Sequence, residues 1–195
     1  GSVSSPPVDG GEHPFRSGEP RRPGQGGHPT RGTEGSCQIL VASFRDFARV
    51  AAVRIAWALQ DAGDGGQPIS MVVTASMTTR PVYEALAELP GVPWENVDLF
   101  FGDERAVPPD HPDSRSRRVR ETLLDRIPLP RGRVHRMEAE RADLDRAARD
   151  YEDVLPERVS LLVLSVGADG GAASIFPGPS DRVGTRRVVL ATAPS

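Results

Sequence analysis

Apolar segments and segments of helical periodicity alternate along most of this chain, and this alternation constrains its fold more than any other feature. The apolar runs at 69–75 ("ISMVVTA") and 159–166 ("VSLLVLSV") are typical of strands covered on both faces. Alternating strands and helices favour a parallel sheet. The sequence therefore predicts an α/β fold, an open parallel sheet with helices on both faces. The predicted strands are 37–42, 69–75, 96–104, 133–137, 159–166 and 186–193, and the predicted helices are 44–61, 79–89, 111–127 and 142–155.

Residues 1–36 differ in composition from the rest of the chain. They contain almost no apolar side chains and are rich in Gly, Pro, Ser and charged residues. Such a segment cannot bury enough surface to offset the entropy lost on ordering. We therefore expect a disordered tail at 1–36 and a single α/β domain at 37–195.

The charge and the cysteine count limit the partners and the class of protein. A net charge of −3 argues against nucleic-acid binding, which would require a basic surface. No apolar run is long enough to span a bilayer and none resembles a signal peptide, so we expect no membrane partner and a cytoplasmic location. The single cysteine, Cys37, excludes an internal disulfide, and no His or Cys group has metal-ligand spacing, so we predict no metal.

Three loops follow predicted strands and hold most of the chemically useful side chains. They read "TASMTT" at 74–79, "GDERAVPPDHPDS" at 102–114 and "GADGGAASIFPG" at 167–178. In open α/β sheets, ligands bind beyond the carboxyl ends of the strands. We expect the three loops to form one pocket.

The second of these loops is the most distinctive. Asp103, Glu104 and Arg105 leave a strand together, ahead of a stiff double proline. A planar guanidinium such as that of Arg105 suits phosphate because it donates two parallel hydrogen bonds. Asp103 can accept hydrogen bonds from sugar hydroxyls. The alternative is a solvated charged loop with no ligand.

The first loop offers hydroxyls and backbone N–H groups at the start of a helix. This is a natural anion site. The alternative is an ordinary helix cap, in which Ser76, Thr78 or Thr79 satisfies free N–H groups.

The third loop has glycines where the backbone can approach a ligand closely, including Gly167 and Gly170. It carries one acid, Asp169, and no base. The alternative here is a tight structural turn.

Together, these loops resemble those of the 6-phosphogluconolactonases of the pentose phosphate pathway. They resemble more distantly those of the glucosamine-6-phosphate deaminases and related sugar-phosphate isomerases. The resemblance runs from about Gln38 to the end of the chain, and it is carried by "VPWENVDLFFGDERAVPPDHPDS" and "LLVLSVGADGGAASIFPG". It implies a Rossmann-like parallel sheet, a small-molecule sugar-phosphate substrate with a lactone ring, and no metal or other cofactor.

The resemblance also implies roles for individual residues. Arg105 would grip the phosphate with help from Thr74, Ser76 and Thr78 of the first loop. Asp103 and Asp169 would line the site of the sugar ring, beside the backbone of Gly167 and Gly170. Asp169 would orient a catalytic base.

The chain departs from the family pattern at three places. Ala75 and Ser76 replace two glycines of the phosphate loop, and Gly171 stands where the family has a histidine that resembles a general base. A Ser/Ala-Pro-Lys-Pro-Pro segment that follows in the family has no counterpart before the last residue, Ser195. We therefore expect a C-terminally incomplete domain.

These departures leave several readings of function open. The first is a 6-phosphogluconolactonase-like hydrolase with weak or lost activity, in which Asp169 is the remaining catalytic group. The second is a non-catalytic sugar-phosphate-binding or truncated family member. A third is a deaminase or isomerase, for which His111 is the only nearby candidate base, although its proline-rich setting is typical of a structural residue. An uncovered last strand at 186–193 would also favour self-association.

Overall fold

The computed structural model describes residues 39–63, 66–175 and 186–191. The predicted tail at 1–36 lies outside these ranges, so its disorder and the domain start at residue 37 stay predictions. The helices within the described ranges are α1 (Phe47–Gly63), α2 (Thr79–Ala87), α3 (Arg115–Thr122) and α4 (Leu144–Val154), and the strands are β1 (Ile69–Val73), β2 (Val97–Phe101), β3 (Val134–His135) and β4 (Leu161–Leu162).

The four strands form one parallel sheet in the order β3-β2-β1-β4, which confirms the predicted fold class. Strands β1 and β2 pair over five residues, from Ile69 opposite Val97 to Val73 opposite Phe101. Their contact continues beyond the ladder, where the N–H of Gly102 donates to the carbonyl of Val73 at 2.8 Å. Because all the strands run in one direction, the loops that follow β1, β2 and β4 leave from the same edge of the sheet.

Helices cover both faces of the sheet. Met71 and Val73 point to the face that packs against α1, α2 and α3, where most of the core lies. Val72 points to the opposite face and packs with Phe100 and Tyr151, the latter from α4. This alternation follows from the two-residue period of a strand. The near-continuous apolar runs in the sequence thus reflect burial on both faces.

The predicted strand at 186–193 is wrong over its described part, since residues 186–191 form no strand. The segment binds α4 instead. Arg186 pairs with Glu152 at 3.3 Å, and the backbone N–H of Arg187 also donates to Glu152. Val188 then packs beside Tyr151. Because side chains tether the segment to a helix, its apolar residues do not enter the sheet.

The predicted strand at 37–42 also forms no strand over its described part, 39–42. Ile39 and Val41 are almost fully exposed. An apolar pattern favours burial, but a strand also needs a neighbour that completes its backbone hydrogen bonds. Within the described part of the chain, nothing supplies that ladder to residues 39–42.

The strand predicted at 159–166 exists but is shorter than expected. Its ladder with β1 covers Leu161 and Leu162, extended by a hydrogen bond from the N–H of Val163 to the carbonyl of Val72 at 2.9 Å. β4 is an edge strand of the described sheet, and Leu162 and Leu164 are about half exposed. Self-association through residues 186–193 stays a prediction, although the described part of that segment, 186–191, forms no strand.

Candidate active site

The three loops predicted to form a pocket are connected by hydrogen bonds at the carboxyl edge of the sheet. The hydrogen bond from Gly102 to Val73 links the first and second loops at their strand ends. The hydroxyl of Thr74 donates to the carbonyl of Val163 at 3.2 Å and links the first loop to β4. The hydroxyl of Ser174 donates to the Asp103 carboxylate at 2.7 Å and links the third loop to the second. The carboxyl edge of the sheet therefore carries one connected cluster.

In the first loop, two of the three predicted phosphate ligands are engaged in local hydrogen bonds. The Thr74 side chain is 3% exposed and is occupied by Val163. The Ser76 hydroxyl accepts the N–H of Thr79 at 3.1 Å, while the N–H of Ser76 donates to the Thr79 hydroxyl at 2.9 Å. This reciprocal pair is the helix-cap arrangement weighed as the alternative. Thr78 is exposed at the start of α2, and its side chain makes no cap bond.

Tyr83 lies below the first loop and supports it. Its hydroxyl donates to the carbonyl of Thr74 at 2.7 Å, and its side chain is fully buried. Burial raises the pKa of Tyr83 well above its usual range, and the nearby charge of Asp103 acts in the same direction. The phenol therefore remains a neutral donor and fixes the carbonyl at the end of β1.

Asp103 follows β2 and is buried, with a side chain only 8% exposed. Besides Ser174, it faces Arg115 from the first turn of α3, with Nε of Arg115 at 3.4 Å from its Oδ2. The other oxygen, Oδ1, is buried and accepts no hydrogen bond from any described residue, and Nε of Arg115 likewise completes none. The charge of Asp103 is thus compensated from α3 within the protein.

Glu104 holds the second loop against the start of α3. Its carboxylate accepts the backbone N–H groups of Arg115 at 2.7 Å and Ser116 at 2.8 Å, and also that of Arg105 at 2.7 Å. A carboxylate at a helix N-terminus is favoured because it satisfies free N–H groups and the helix dipole. Arg105 itself is exposed, and its guanidinium has no ion pair among the described residues. The backbone at Arg105 is therefore fixed while its side chain is available.

The third loop is a compact turn around Asp169. Oδ1 of Asp169 accepts the N–H of Gly171 at 3.0 Å, and the N–H of Gly167 donates to the carbonyl of Gly171 at 2.8 Å. Gly170 has a φ of 80°, and a Cβ at Gly167 would lie 2.5 Å from the Asp169 carboxylate. Both positions therefore require glycine, which agrees with the alternative of a tight structural turn. Asp169 is exposed at the tip.

Gly171 has space for a side chain, although a tight one. A Cβ built there would lie 3.3 Å from both carboxylate oxygens of Asp169 and from the carbonyl of Ile175. Its φ lies outside the left-handed region. A larger residue at position 171 would therefore sit directly beside Asp169 after shifts of a few tenths of an ångström.

His111 belongs to a turn rather than to the cluster. The ring Nδ1 of His111 accepts the backbone N–H of Asp113 at 3.2 Å. The backbone N–H of His111 donates to the carbonyl of Pro108 at 2.9 Å. The ring is exposed. These contacts favour the structural interpretation of this histidine over a role as a base.

A separate cleft of about 310 Å³ lies between α2 and α3. It borders Ser76 but not Asp103, Arg105 or Asp169. Its charged lining comprises Arg80, Arg117, Arg118, Arg126, Glu84 and Glu121. Arg80 and Arg117 are paired with glutamates one turn further along their own helices, so much of this charge is already neutralised.

The structure brings some of the predicted site residues into contact and leaves others apart. Thr74 and Asp103 are part of the bonded cluster. Thr78, Arg105 and Asp169 lie on the three loops of this cluster. Among the described residues, no hydrogen bond connects their side chains to one another. Within the same ranges, no helix is long and apolar enough to cross a membrane, and no three His, Cys, Asp or Glu side chains group as metal ligands do.

Sequence reasoning missed Ser174, Arg115 and the role of Glu104. Arg115 had a detectable signal, because a basic residue in the first turn of a helix is opposed by the helix dipole and so calls for an acidic partner elsewhere. Ser174 had no such signal beyond its place in the glycine-rich third loop.

Comparison with known proteins identifies relatives of the chain. A family model described as glucosamine-6-phosphate isomerases/6-phosphogluconolactonase matches residues 42–195. The chain is 35% identical to a 6-phosphogluconolactonase of Synechocystis sp. over 148 residues, which are 70% of this chain and 60% of that protein. It is 32% identical to a 6-phosphogluconolactonase of Streptomyces coelicolor over 172 residues, which are 78% of this chain and 66% of that protein.

A solved structure agrees with the sequence relatives. The crystal structure of 6-phosphogluconolactonase from Thermotoga maritima superimposes with a TM-score of 0.63 at 28% identity, covering 73% of this chain and 71% of that one. The chain spans 60% of the length of the Synechocystis protein and 66% of the Streptomyces protein.

Proposed function

Because the chain belongs to the family of glucosamine-6-phosphate isomerases and 6-phosphogluconolactonases, we propose that it binds 6-phosphoglucono-1,5-lactone and opens it weakly to 6-phosphogluconate. The observation that carries the proposal is the bonded cluster of three loops, with Arg105, Thr78 and Asp169 exposed on it. In this reaction, water adds to the C1 carbonyl and the bond from C1 to the ring oxygen breaks. The ring oxygen takes a proton and becomes the C5 hydroxyl.

Arg105 and Thr78 are the proposed phosphate ligands. Glu104 fixes the backbone of Arg105, which leaves the guanidinium to make two parallel hydrogen bonds to phosphate oxygens. Thr78 adds a hydroxyl at the N-terminus of α2, where the helix dipole favours an anion. Thr74 and Ser76 contribute through the shape of the loop, since their hydroxyls already serve Val163 and Thr79.

Asp169 is the proposed catalytic group, beside the backbone of Gly167 and Gly170. It is the one carboxylate in the third loop, and it is the group there that can take a proton from the attacking water. Position 171 carries no imidazole. Loss of the assistance of the histidine costs about 10²- to 10⁴-fold in rate, so with Asp169 as the base of this loop we expect activity well below that of an enzyme with the histidine.

The test is hydrolysis of freshly generated lactone by the full chain, corrected for spontaneous opening, in wild type and Gly171→His. We expect a small rate in wild type and an increase of about 10²-fold or more in Gly171→His, because the imidazole would lie beside Asp169. Gly171→Ala is the matched control, since it adds the same Cβ without a base. Adding Asp169→Asn to Gly171→His should remove most of the gain.

Binding is tested separately by protection of the chain from thermal unfolding by 6-phosphogluconate. Arg105→Lys should reduce that protection, because an ammonium does not reproduce the bidentate contact. No protection of wild type, together with background hydrolysis in both wild type and Gly171→His, would contradict the proposal.

The absence of a side chain at Gly171 favours one alternative, a sugar-phosphate-binding protein without catalysis. It predicts protection by 6-phosphogluconate with hydrolysis at the background rate. A cytoplasmic location and independence from metals and other cofactors are further parts of our proposal. Activity that survives exhaustive chelation would support the second of these.

A further inference from the structure

Asp103 makes contacts that differ from those expected of a residue that binds a sugar. Its Oδ1 is fully buried, and its Oδ2 accepts the Ser174 hydroxyl at 2.7 Å. A carboxylate that binds sugar hydroxyls must present an oxygen to the ligand. The described structure instead turns this carboxylate inward, towards other parts of the protein.

Arg115 gives Asp103 a fixed position. Its Nε lies 3.4 Å from Oδ2 of Asp103, and both side chains are largely buried. Arg115 begins α3, whose first N–H groups are held by Glu104. The helix therefore sets the place of Arg115, and the guanidinium of Arg115 provides a positive charge beside the buried Asp103 carboxylate.

Ser174 lies in a backbone conformation that needs support. Ser174 has a φ of 59° and Ala173 a φ of 49°, both in the left-handed region that non-glycine residues avoid. Two such residues in succession persist only where surrounding contacts hold them. Among the described residues, the hydrogen bond to the buried Asp103 carboxylate holds the Ser174 side chain.

We propose that Asp103 and Ser174 are positioning residues. Their hydrogen bond fixes the glycine-rich loop that carries Asp169, and Asp103 does not touch the substrate. The inference rests on the proposed function, because it concerns how the same site is ordered. It moves Asp103 from the lining of the ring site, where the family resemblance had assigned it, to the support of the third loop.

The first test is amide hydrogen exchange in the full chain without ligand. The N–H groups of Gly167, Gly170 and Ile175 are hydrogen-bonded within the third loop and report its opening. Ser174→Ala should speed their exchange about tenfold or more, because it removes the hydrogen bond to Asp103. Ser165→Ala is the matched control: it makes the same change two residues before the loop, and that hydroxyl makes no hydrogen bond among the described residues. It should leave exchange unchanged.

Ser174→Gly separates the hydrogen bond from the backbone strain. Glycine tolerates the left-handed conformation but cannot donate to Asp103. Exchange in Ser174→Gly should be faster than in wild type but no faster than in Ser174→Ala, because glycine loses the bond and relieves the strain. Wild-type exchange rates in Ser174→Ala would overturn the proposal, since the loop would then hold its shape without the bond.

The second test measures affinity for 6-phosphogluconate, from the ligand concentration needed to raise the thermal midpoint. Ser174→Ala should weaken affinity several-fold while leaving the unliganded midpoint nearly unchanged, because binding must then order the loop. A merely structural role would lower the midpoint without changing affinity. Asp103→Asn that keeps wild-type exchange but loses affinity would make Asp103 a substrate ligand and overturn the inference. If wild type binds no 6-phosphogluconate, the proposed function fails, and the exchange rates alone still decide the role of the bond.

Discussion

The hydroxyl of Tyr151 accepts the backbone N–H of Phe101 at 2.8 Å, at the point where strand β2 ends. The same hydroxyl lies 3.1 Å from the carbonyl of Phe101 and 3.3 Å from that of His135 on β3, either of which can accept its proton. The Tyr151 side chain, from α4, thus takes the place of a backbone hydrogen-bond partner between β2 and β3. Because Asp103 follows Phe101 by two residues, this contact also fixes the start of the second loop.

Tyr151→Phe should lower the free energy of unfolding by about 1–3 kcal/mol, because it leaves the buried N–H of Phe101 without a partner. Urea unfolding of the full chain measures the change. Tyr83→Phe is the matched control. It should cost less, since the carbonyl of Thr74 keeps the Thr79 hydroxyl at 3.2 Å. Equal losses in the two variants would mean that burial of the phenol, rather than its partner, sets the cost.

Stability should fall at alkaline pH because of the same two tyrosines. Burial raises the pKa of Tyr83 and of Tyr151 well above the ordinary value of about 10. The folded state therefore keeps two protons that the unfolded chain loses above about pH 10, so the stabilisation is complete below that pH and is lost as the pH rises further. The chain has no other tyrosine.

Tyrosinate absorbance followed against pH checks this directly. It should stay low in the native chain past the ordinary pKa and then appear together with loss of the circular dichroism signal. Ionisation of one tyrosine near pH 10 with the fold intact would contradict the prediction for that residue. The two Tyr→Phe variants identify which residue is responsible.

The fold could be predicted from the sequence because apolar runs report burial well. The runs at β1 and β2 are long and covered on both faces, so the parallel sheet followed from them. The segments at 39–42 and 188–191 are also apolar, but pairing depends on neighbours that a local pattern does not encode. The salt bridge of Arg186 with Glu152 joins residues far apart in the sequence, and no spacing rule anticipates it.

The candidate site was predictable to a similar extent. The three loops leave from one edge of the sheet, as predicted, because the carboxyl ends of parallel strands share that edge, and the single pocket expected of them stays a prediction. Which hydroxyls remained available was not predictable, because Thr74 and Ser76 are engaged by Val163 and Thr79. The inward orientation of Asp103 depends on Arg115, whose helix begins twelve residues later along the chain.

Gly102→Ala should destabilise the chain by about 1–3 kcal/mol through crowding at the junction of β1 and β2. A Cβ at Gly102 would lie 2.9 Å from Cγ2 of Thr74, whose side chain is held by its bond to Val163. Thr74→Ser removes that methyl group and keeps the hydroxyl. The double variant should therefore recover most of the stability lost in Gly102→Ala.

Chemical unfolding of the single and double variants measures this rescue. Gly132→Ala is the control, because a Cβ there meets no atom within 4 Å, and it should be neutral or slightly stabilising. A double variant no more stable than Gly102→Ala would show that the cost arises from the backbone rather than from the methyl contact.

Glu104→Gln should loosen both the second loop and the start of α3. The carboxylate accepts three backbone N–H groups, those of Arg105, Arg115 and Ser116, and an amide can offer only one oxygen while its NH₂ group opposes the others. We expect a loss of about 1–3 kcal/mol in unfolding free energy and weaker thermal protection by 6-phosphogluconate, because Arg105 is no longer fixed. Glu84→Gln, which removes an exposed pair with Arg80, should change stability by less than about 0.5 kcal/mol and leave protection intact. If Glu104→Gln lowers stability but leaves ligand protection at the wild-type level, then Glu104 supports α3 alone and the phosphate contact does not depend on the backbone of Arg105.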